Sequence, residues 1–228
     1  MSNKLVWING SPRSDKESAS HQMIEYLTNI LTPHYDTFLE FSALKFSLQS
    51  TKLFEHFKEV LSSQVLVIVS PLYADSMPSS LLDYLYQFES FTKAHPELVT
   101  HPLKVYGYIN CGFLGGQQNY IALEILEHFS HRMNFTWCGG LGIGSGAMLA
   151  STLHTVPRKA KMQQPIYEGL DAFISALQTQ ISISSPNKQL LVTQNFSPSI
   201  FNFSLNMSWI AQSGWKFRKI YARPHLKN

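Results

Sequence analysis

The chain has 228 residues, of which 44% are apolar and only 14% are charged, and its formal net charge is +3. Because soluble domains usually carry a charged share of roughly 25%, this surface is poor in charge and we expect a partner to cover part of it. Lysine and arginine are scattered except for one cluster near the C-terminus, which consists of Lys216, Arg218, Lys219 and Arg223. Nucleic acid is therefore not predicted as a partner.

Cysteine content and hydropathy exclude several further classes. The two cysteines, Cys111 and Cys138, have no metal-ligand spacing, so neither a disulfide scaffold nor a metal site is predicted. The chain has no run of eighteen apolar residues, so an integral membrane segment is not predicted. Residues 1–3 lead directly into a strand, so a signal peptide is not expected either. We expect a cytoplasmic protein with a single domain over residues 1–228, in which residues 196–228 form an aromatic-rich C-terminal extension.

Strand and helix patterns alternate along the chain. A strand at 5–8 precedes a helix that starts near Ser18 and ends before Pro33, and a strand at 38–41 precedes a loop at 42–50 and a helix at 53–61. The later elements, in order, are a strand at 65–69, a helix at 81–88, a strand at 103–109, a helix at 121–129, a strand at 135–143, a helix at 166–181 and a final helix that ends before Gly214.

This alternation predicts an α/β fold. Residues 65–69, VLVIV, show no polar alternation and are almost wholly β-branched, which is typical of a strand buried on both faces of a parallel sheet. We expect a flavodoxin-like three-layer sandwich with five parallel strands in the order 2-1-3-4-5 and helices on both faces. In that order, the loops after strands 1, 3 and 4 meet at one edge of the sheet.

The first of these loops is suited to an anion. It offers hydroxyl groups at Ser11, Ser14, Ser18 and Ser20 and a cation at Arg13, beside the N-terminus of a helix whose first N–H groups have no partner within the helix. These donors could bind a phosphate group. An ordinary strand-to-helix turn with serine caps explains the same residues, because serine is common at helix starts.

The other two loops also follow strands. Pro71, Leu72, Tyr73 and Ala74 precede a helix, with Pro78 closing the loop, and Asp75 is interpreted as a solvent-facing turn residue. The fourth strand opens into a third loop, which consists of Asn110, Cys111, Gly112, Phe113 and the glycines that follow. Tyr73 suits packing on the next helix as well as it suits a ligand, and Cys111 is interpreted as a small residue that fills a tight loop.

Taken together, the three loops resemble those of the flavodoxin-like NAD(P)H-dependent FMN oxidoreductases, the NADPH-dependent FMN reductase and quinone reductase-like family, over residues 4–145. The resemblance implies that the first loop binds the flavin phosphate, the second follows the ribityl chain and one edge of the isoalloxazine, and the third contacts its pyrimidine end. The positions implied to bind FMN are Ser11, Arg13, Ser18, Ala19, Ser20, Pro71, Leu72, Tyr73, Ala74, Asn110, Cys111, Gly112 and Phe113.

The activity that this resemblance implies is hydride transfer from NAD(P)H through FMN to a small acceptor such as a quinone, nitro or azo compound. Since hydride chemistry belongs to the flavin, no catalytic side chain is assigned. Two alternatives stay open, namely a flavodoxin-type electron carrier and a cofactor-less interaction protein. Flavodoxins are usually acidic, so the basic balance and the long C-terminal extension favour the reductase.

The C-terminal segment contains seven large aromatic residues: Phe196, Phe201, Phe203, Trp209, Trp215, Phe217 and Tyr221. A final amphipathic helix that covers the sheet is one interpretation. A dimer surface or a lid over the flavin is the second, and a peripheral membrane patch is the third. We expect a homodimer whose interface uses this segment.

Overall fold

The computed structural model describes residues 3–13, 18–47, 53–146, 157–158 and 160–212 of the chain. Within these residues the strands are β1 (Lys4–Asn9), β2 (Thr37–Ser42), β3 (Val65–Pro71), β4 (Lys104–Asn110), β5 (Thr136–Ile143) and β6 (Gln189–Val192). The α-helices are α1 (Ala19–Leu31), α2 (Ala43–Ser47), α3 (Leu53–Leu61), α4 (Ser79–Ala94), α5 (Tyr120–Arg132), α6 (Gln164–Thr179) and α7 (Pro198–Gln212).

All pairings in the sheet are parallel, and the strand order is β2-β1-β3-β4-β5-β6. The predicted α/β flavodoxin-like fold and the 2-1-3-4-5 order are therefore confirmed. The predicted number of strands was wrong, because a sixth strand pairs with β5 from Gly140 opposite Gln189 to Ile143 opposite Val192. With four residues, β6 is too short to stand out as a period-2 pattern in the sequence.

The two faces of the sheet support separate apolar cores. Alternate residues of β3 divide between them, with Val65, Val67 and Val69 on one side and Leu66 and Ile68 on the other. Helices α1 and α6 cover the first face, whereas α3, α4 and α5 cover the second. Because β3 is buried on both faces, its sequence is apolar throughout, as predicted.

Helix α1 starts where the first loop ends. The Ser18 hydroxyl oxygen accepts a hydrogen bond from the backbone N–H of His21 at 3.3 Å, which caps the helix. The helix ends at Leu31, before Pro33, and its buried face includes Met23, Ile24 and Leu27. The cap therefore fixes the start of α1 at the carboxyl edge of the sheet, beside the loop that follows β1.

The predicted loop at residues 42–50 is wrong in part, because Ala43–Ser47 form the short helix α2. Ala43 is fully buried, and the ring of Phe46 stacks on that of His56 with a centroid distance of 3.5 Å. A five-residue helix is not stable by itself in water. Its tertiary contacts stabilise it, and these contacts have no local signal in the sequence.

The chain divides into two compact units, residues 1–194 and residues 195–228. The first unit contains the whole sheet, and the second contains α7, which reaches Gln212, the last described residue. Trp215, Phe217, Tyr221 and the C-terminal basic cluster lie outside the described residues. Across the described part of the chain, every helix is too short or too polar to cross a bilayer.

Candidate functional site

The first loop follows β1 and is held by its own short hydrogen bonds. The Gly10 N–H donates to the Val69 carbonyl at 2.8 Å, which ties the loop to the end of β3. The Ser11 N–H then donates to Asn9 Oδ1 at 3.0 Å, and the Arg13 N–H donates to Ser11 Oγ at 3.2 Å. These contacts turn the chain at the edge of the sheet and place the Arg13 side chain on an exposed position.

A carboxylate on the neighbouring strand orients this loop. Glu40 Oε1 accepts a hydrogen bond from Asn9 Nδ2 at 2.9 Å and lies 3.0 Å from His21 Nδ1. Because the Asn9 amide donates to Glu40, its Oδ1 atom faces the Ser11 N–H. Sequence reasoning missed the positioning roles of Asn9 and Glu40, since nothing local in the chain shows that residues 31 positions apart meet.

The second loop forms a tight turn beyond β3. Tyr73 and Ser76 exchange backbone hydrogen bonds of 2.7 and 3.0 Å, and the two residues between them, Ala74 and Asp75, have φ angles of 48° and 61°. Asp75 is exposed, as the sequence predicted. The Leu72 N–H donates to the Asn110 carbonyl at 2.8 Å, so the second loop is fastened to the third.

The third loop is tied to the segment that follows β5. Cys111 donates its N–H to the Ile143 carbonyl at 3.0 Å, and its own carbonyl accepts from the Gly146 N–H at 2.8 Å. The Ser145 N–H donates to the Phe113 carbonyl at 2.6 Å. Behind the loop, the fully buried Asn119 donates from Nδ2 to the carbonyls of Gly116 and Ile143 at 3.0 and 3.2 Å.

The three loops enclose one cavity of about 210 Å³. Ten predicted residues line it: Ser11, Arg13, Ser18, Ala19, Ser20, Pro71, Leu72, Tyr73, Asn110 and Gly112. Pockets that enclose a small molecule usually start at about 300 Å³, so a ligand as large as FMN would extend beyond this cavity. Tyr73 also lines the cavity and is half exposed.

Three other predicted residues do not line this cavity. Ala74 lies in the exposed tip of the second loop, and Phe113 points outward with 62% of its side chain exposed. Cys111 is buried, and its sulfur contacts the carbonyls of Phe113 and Gly115 at 3.5 and 3.6 Å. Whether any of the predicted residues binds flavin stays a prediction.

Burial raises the pKa of the Cys111 thiol above its usual range. A thiol with a raised pKa is protonated near neutral pH, and the protonated form is a poor nucleophile. Its contacts with two carbonyl oxygens of its own loop agree with the interpretation that Cys111 fills the loop as a small residue.

One polar atom at the cavity has no partner. Asn110 lines the cavity and is 6% exposed, and its Oδ1 atom is buried with no hydrogen-bond partner in the described part of the protein. An unpaired buried amide oxygen costs stability, and a ligand that donates a hydrogen bond would satisfy it. The cavity is thus lined by serine residues and a cation at the first loop and by Asn110, with its unpaired buried oxygen, at the third.

The fold and this site define a flavodoxin-like α/β protein with a polar cavity at the carboxyl edge of its sheet. Among solved structures, the chain is similar to an NADH:FMN oxidoreductase in its apo form, at 16% identity and a TM-score of 0.57, over 87% of this chain and 98% of the other. It is also similar to an FMN-dependent NADH-azoreductase from Bacillus anthracis str. Ames Ancestor in complex with FMN, at 14% identity and a TM-score of 0.51, over 77% and 100% of the two chains.

A further similar structure is an NADPH-quinone reductase from P. pentosaceus, at 11% identity and a TM-score of 0.51, over 80% of this chain and 99% of the other. No protein-family model matches the chain. No curated protein matches it either. The resemblance inferred from the three loops is therefore confirmed at the level of the fold, which this chain shares with FMN-dependent NAD(P)H oxidoreductases.

Proposed function

We propose that this protein is an FMN-dependent oxidoreductase that transfers hydride from NAD(P)H to a small acceptor such as a quinone, nitro or azo compound. The observation that carries the proposal is the cavity itself, which brings Arg13 and the serine hydroxyl groups of the first loop together with Asn110 of the third, whose Oδ1 atom is buried without a partner. FMN has the matching polarity, with a phosphate at one end and ring N–H and carbonyl groups at the other.

The phosphate end of FMN would lie at the first loop. A phosphate dianion is costly to remove from water unless several donors replace its hydration. Arg13 and the hydroxyl groups of Ser11, Ser18 and Ser20 line this end of the cavity, beside the positive end of the α1 dipole. Together these groups supply the charge-assisted hydrogen bonds that a phosphate requires.

The ring end would lie between the second and third loops. Asn110 would accept a hydrogen bond from the ring, Leu72 and Tyr73 would flank it, and Gly112 would let the backbone come close to its edge. Bound FMN supplies the hydride chemistry. Among the described lining residues, Arg13 is the one ionisable side chain besides the Tyr73 phenol. The role of these residues is therefore to bind and orient the flavin rather than to transfer protons.

Flavin binding and turnover test the proposal in two steps. Purified protein is titrated with FMN, desalted, and scanned for flavin absorbance, and one flavin per chain is expected. The holoprotein is then supplied with NADH or NADPH and a quinone, and steady-state oxidation of the nicotinamide is expected. No retained flavin would leave a cofactor-less interaction protein as the better interpretation. Retained flavin without nicotinamide oxidation would indicate an electron carrier.

We also propose that the protein forms a homodimer through its C-terminal segment. On α7, Ile200, Phe203 and Met207 are exposed and follow one face of the helix at spacings of three and four. Light scattering on the full chain should give a dimer at micromolar concentration. Phe203→Asp should shift it toward monomer, whereas Asn202→Asp, which adds the same charge at an exposed neighbouring position, should not. A wild-type monomer would contradict the proposal.

A further inference from the structure

The end of β6 contacts both the third loop and the segment that follows β5. The Val192 carbonyl accepts a hydrogen bond from the Gly144 N–H at 3.0 Å, just beyond β5. The next residue, Thr193, accepts a hydrogen bond at Oγ1 from the Gly116 N–H at 2.9 Å. The same hydroxyl group donates to Gln117 Oε1 at 3.3 Å, so it is used as both acceptor and donor.

The backbones of the third loop and of β6 lie in close contact. A Cβ atom added at Gly116 would lie 2.3 Å from the Val192 carbonyl oxygen and 2.5 Å from its nitrogen. No side chain fits in that space, so the third loop can lie against β6 only with glycine at this position. At Gly144, an added Cβ would lie 2.0 Å from the Leu114 carbonyl oxygen, which shows that the loops after β4 and β5 are equally close.

The third loop is thus attached at two places. Its near end is fixed by the hydrogen bonds of Cys111 and Phe113 with the segment after β5. Its far end is fixed at Gly116, whose N–H donates to the hydroxyl oxygen of Thr193, just after β6. Gly112, whose backbone lines the cavity, lies within the first attachment, between Cys111 and Phe113. The first attachment holds Gly112 directly, and the second, at Gly116, limits the path that the loop takes after Phe113.

We propose that Thr193 is a positioning residue for the flavin site: through Gly116 it fixes the far end of the third loop, and so supports the place of Gly112 against the ring. This inference rests on the proposed function. Thr193 acts through the loop and does not itself line the cavity among the described residues. It directly follows the sixth strand, which the five-strand prediction omitted.

Three variants isolate the hydroxyl group. Thr193→Val removes it and keeps the β-branched shape, so that the Gly116 N–H loses its acceptor. Thr193→Ser keeps the hydroxyl group and should restore wild-type behaviour. Thr136→Val is the matched control, because it makes the same change at an exposed residue at the amino end of the neighbouring strand β5.

Amide hydrogen exchange without flavin measures the loop directly. In Thr193→Val, the Gly116 amide should exchange about tenfold faster, as expected for the loss of one hydrogen bond. Exchange in the middle of α5 should be unchanged in the same protein. Unchanged exchange at Gly116 in Thr193→Val, or an equal increase in Thr136→Val, would overturn the proposal.

Flavin titration measures the consequence at the site. The Kd for FMN and that for riboflavin should both rise about fivefold to tenfold in Thr193→Val, because the affected loop contacts the ring that both ligands share. Thr193→Ser should bind as the wild type does. If the wild type binds FMN and Thr193→Val binds it equally well, the role of Thr193 is refuted and the proposed function stands. If the wild type binds no flavin, both fail.

Discussion

The ring nitrogen Nε2 of His56 lies 2.7 Å from the hydroxyl oxygen of Tyr84, and both side chains are buried. Phe46 stacks on the His56 ring at a centroid distance of 3.5 Å, and Phe41 meets it edge-on at 4.3 Å. The other ring nitrogen, Nδ1, has no hydrogen-bond partner in the described part of the chain. A charged imidazolium would be poorly solvated here, and burial lowers the pKa of His56 to about 4.

We therefore expect stability to depend on His56 between pH 6.5 and pH 4. The unfolded chain binds a proton with a pKa of about 6.5, whereas folded His56 stays neutral until about pH 4. The free energy of unfolding that depends on neutral His56 is fully present above pH 6.5. It falls by up to about 3 kcal/mol as the pH drops through this window. Urea unfolding of wild type and His56→Phe at pH 7, 5.5 and 4.5 measures it.

The readout is the difference between the two pH profiles, because other groups titrate equally in both proteins. His56→Phe leaves the Tyr84 hydroxyl group without its partner, which lowers stability by a similar amount at every pH. Parallel profiles for the two proteins would contradict the assignment of this pH dependence to His56.

Arg13 provides a prediction for the phosphate end of the cavity. Arg13→Ala should weaken FMN binding by about 1.5–3 kcal/mol, the usual value for a hydrogen bond to a charged group. Binding of riboflavin, which lacks the phosphate, should change little. Lys58→Ala is the control for the loss of a positive charge, since Lys58 is an exposed residue of α3. An equal loss of affinity for both ligands would contradict a phosphate contact.

Asn110 provides a prediction for the ring end. Because its Oδ1 atom is buried without a partner, Asn110→Ala should cost the apo protein less than about 1 kcal/mol of stability and raise the Kd for FMN about tenfold. Asn119→Ala should cost the apo protein more stability than Asn110→Ala does, because Asn119 donates hydrogen bonds to two backbone carbonyls. Thermal unfolding and flavin titration of both variants measure the contrast. A large loss of apo stability in Asn110→Ala would indicate a structural role.

Glu89 provides a prediction for the helical layer. Its buried carboxylate binds Arg132 through two contacts and accepts from Lys93 Nζ at 2.6 Å, and the hydrogen bond from Arg132 is the main cause of its lowered pKa. The stability contributed by Glu89 is present above its unfolded pKa and is lost as the pH falls. At pH 7, Glu89→Gln should lower the Tm by roughly 2–6 °C.

Glu97→Gln is the matched control for Glu89→Gln. Glu97 is paired with His95 at the surface, and 66% of its side chain is exposed. Exposed pairs contribute little, so its Tm should change by no more than about 2 °C. Equal shifts for the two variants at pH 7 would show that the buried pairing of Glu89 adds no stability.

The order of the first five strands could be predicted from sequence because each long element has a strong pattern of its own. The apolar run of β3 and the periodicity of α1 are visible without any partner. The strand β6 and the helix α2 lack such patterns. Gln189–Val192 becomes a strand by pairing with β5. Ala43–Ser47 becomes a helix because distant parts of the chain bury Ala43 and stack on Phe46.

Some features of the site could also be predicted from the sequence, and others could not. Loop residues at the ends of β1, β3 and β4 could be predicted to meet, because parallel strands present their carboxyl ends at one edge. The outward direction of Phe113 could not, since it depends on how the third loop closes on the segment after β5. Nor could the contacts of Asn9 with Glu40 and of Gly116 with Thr193, which join distant parts of the chain.

The late position of β6 has a consequence for biosynthesis. β5 ends at Ile143 and β6 begins only at Gln189, so a nascent chain can pair β1 to β5 before β6 leaves the ribosome. During that interval β5 is an unprotected edge, with the backbone groups that later pair with Gln189–Val192 open to other chains. Slow translation between residues 144 and 193 should therefore increase aggregation of the nascent protein, and the arrival of β6 ends that exposure while it completes the third loop.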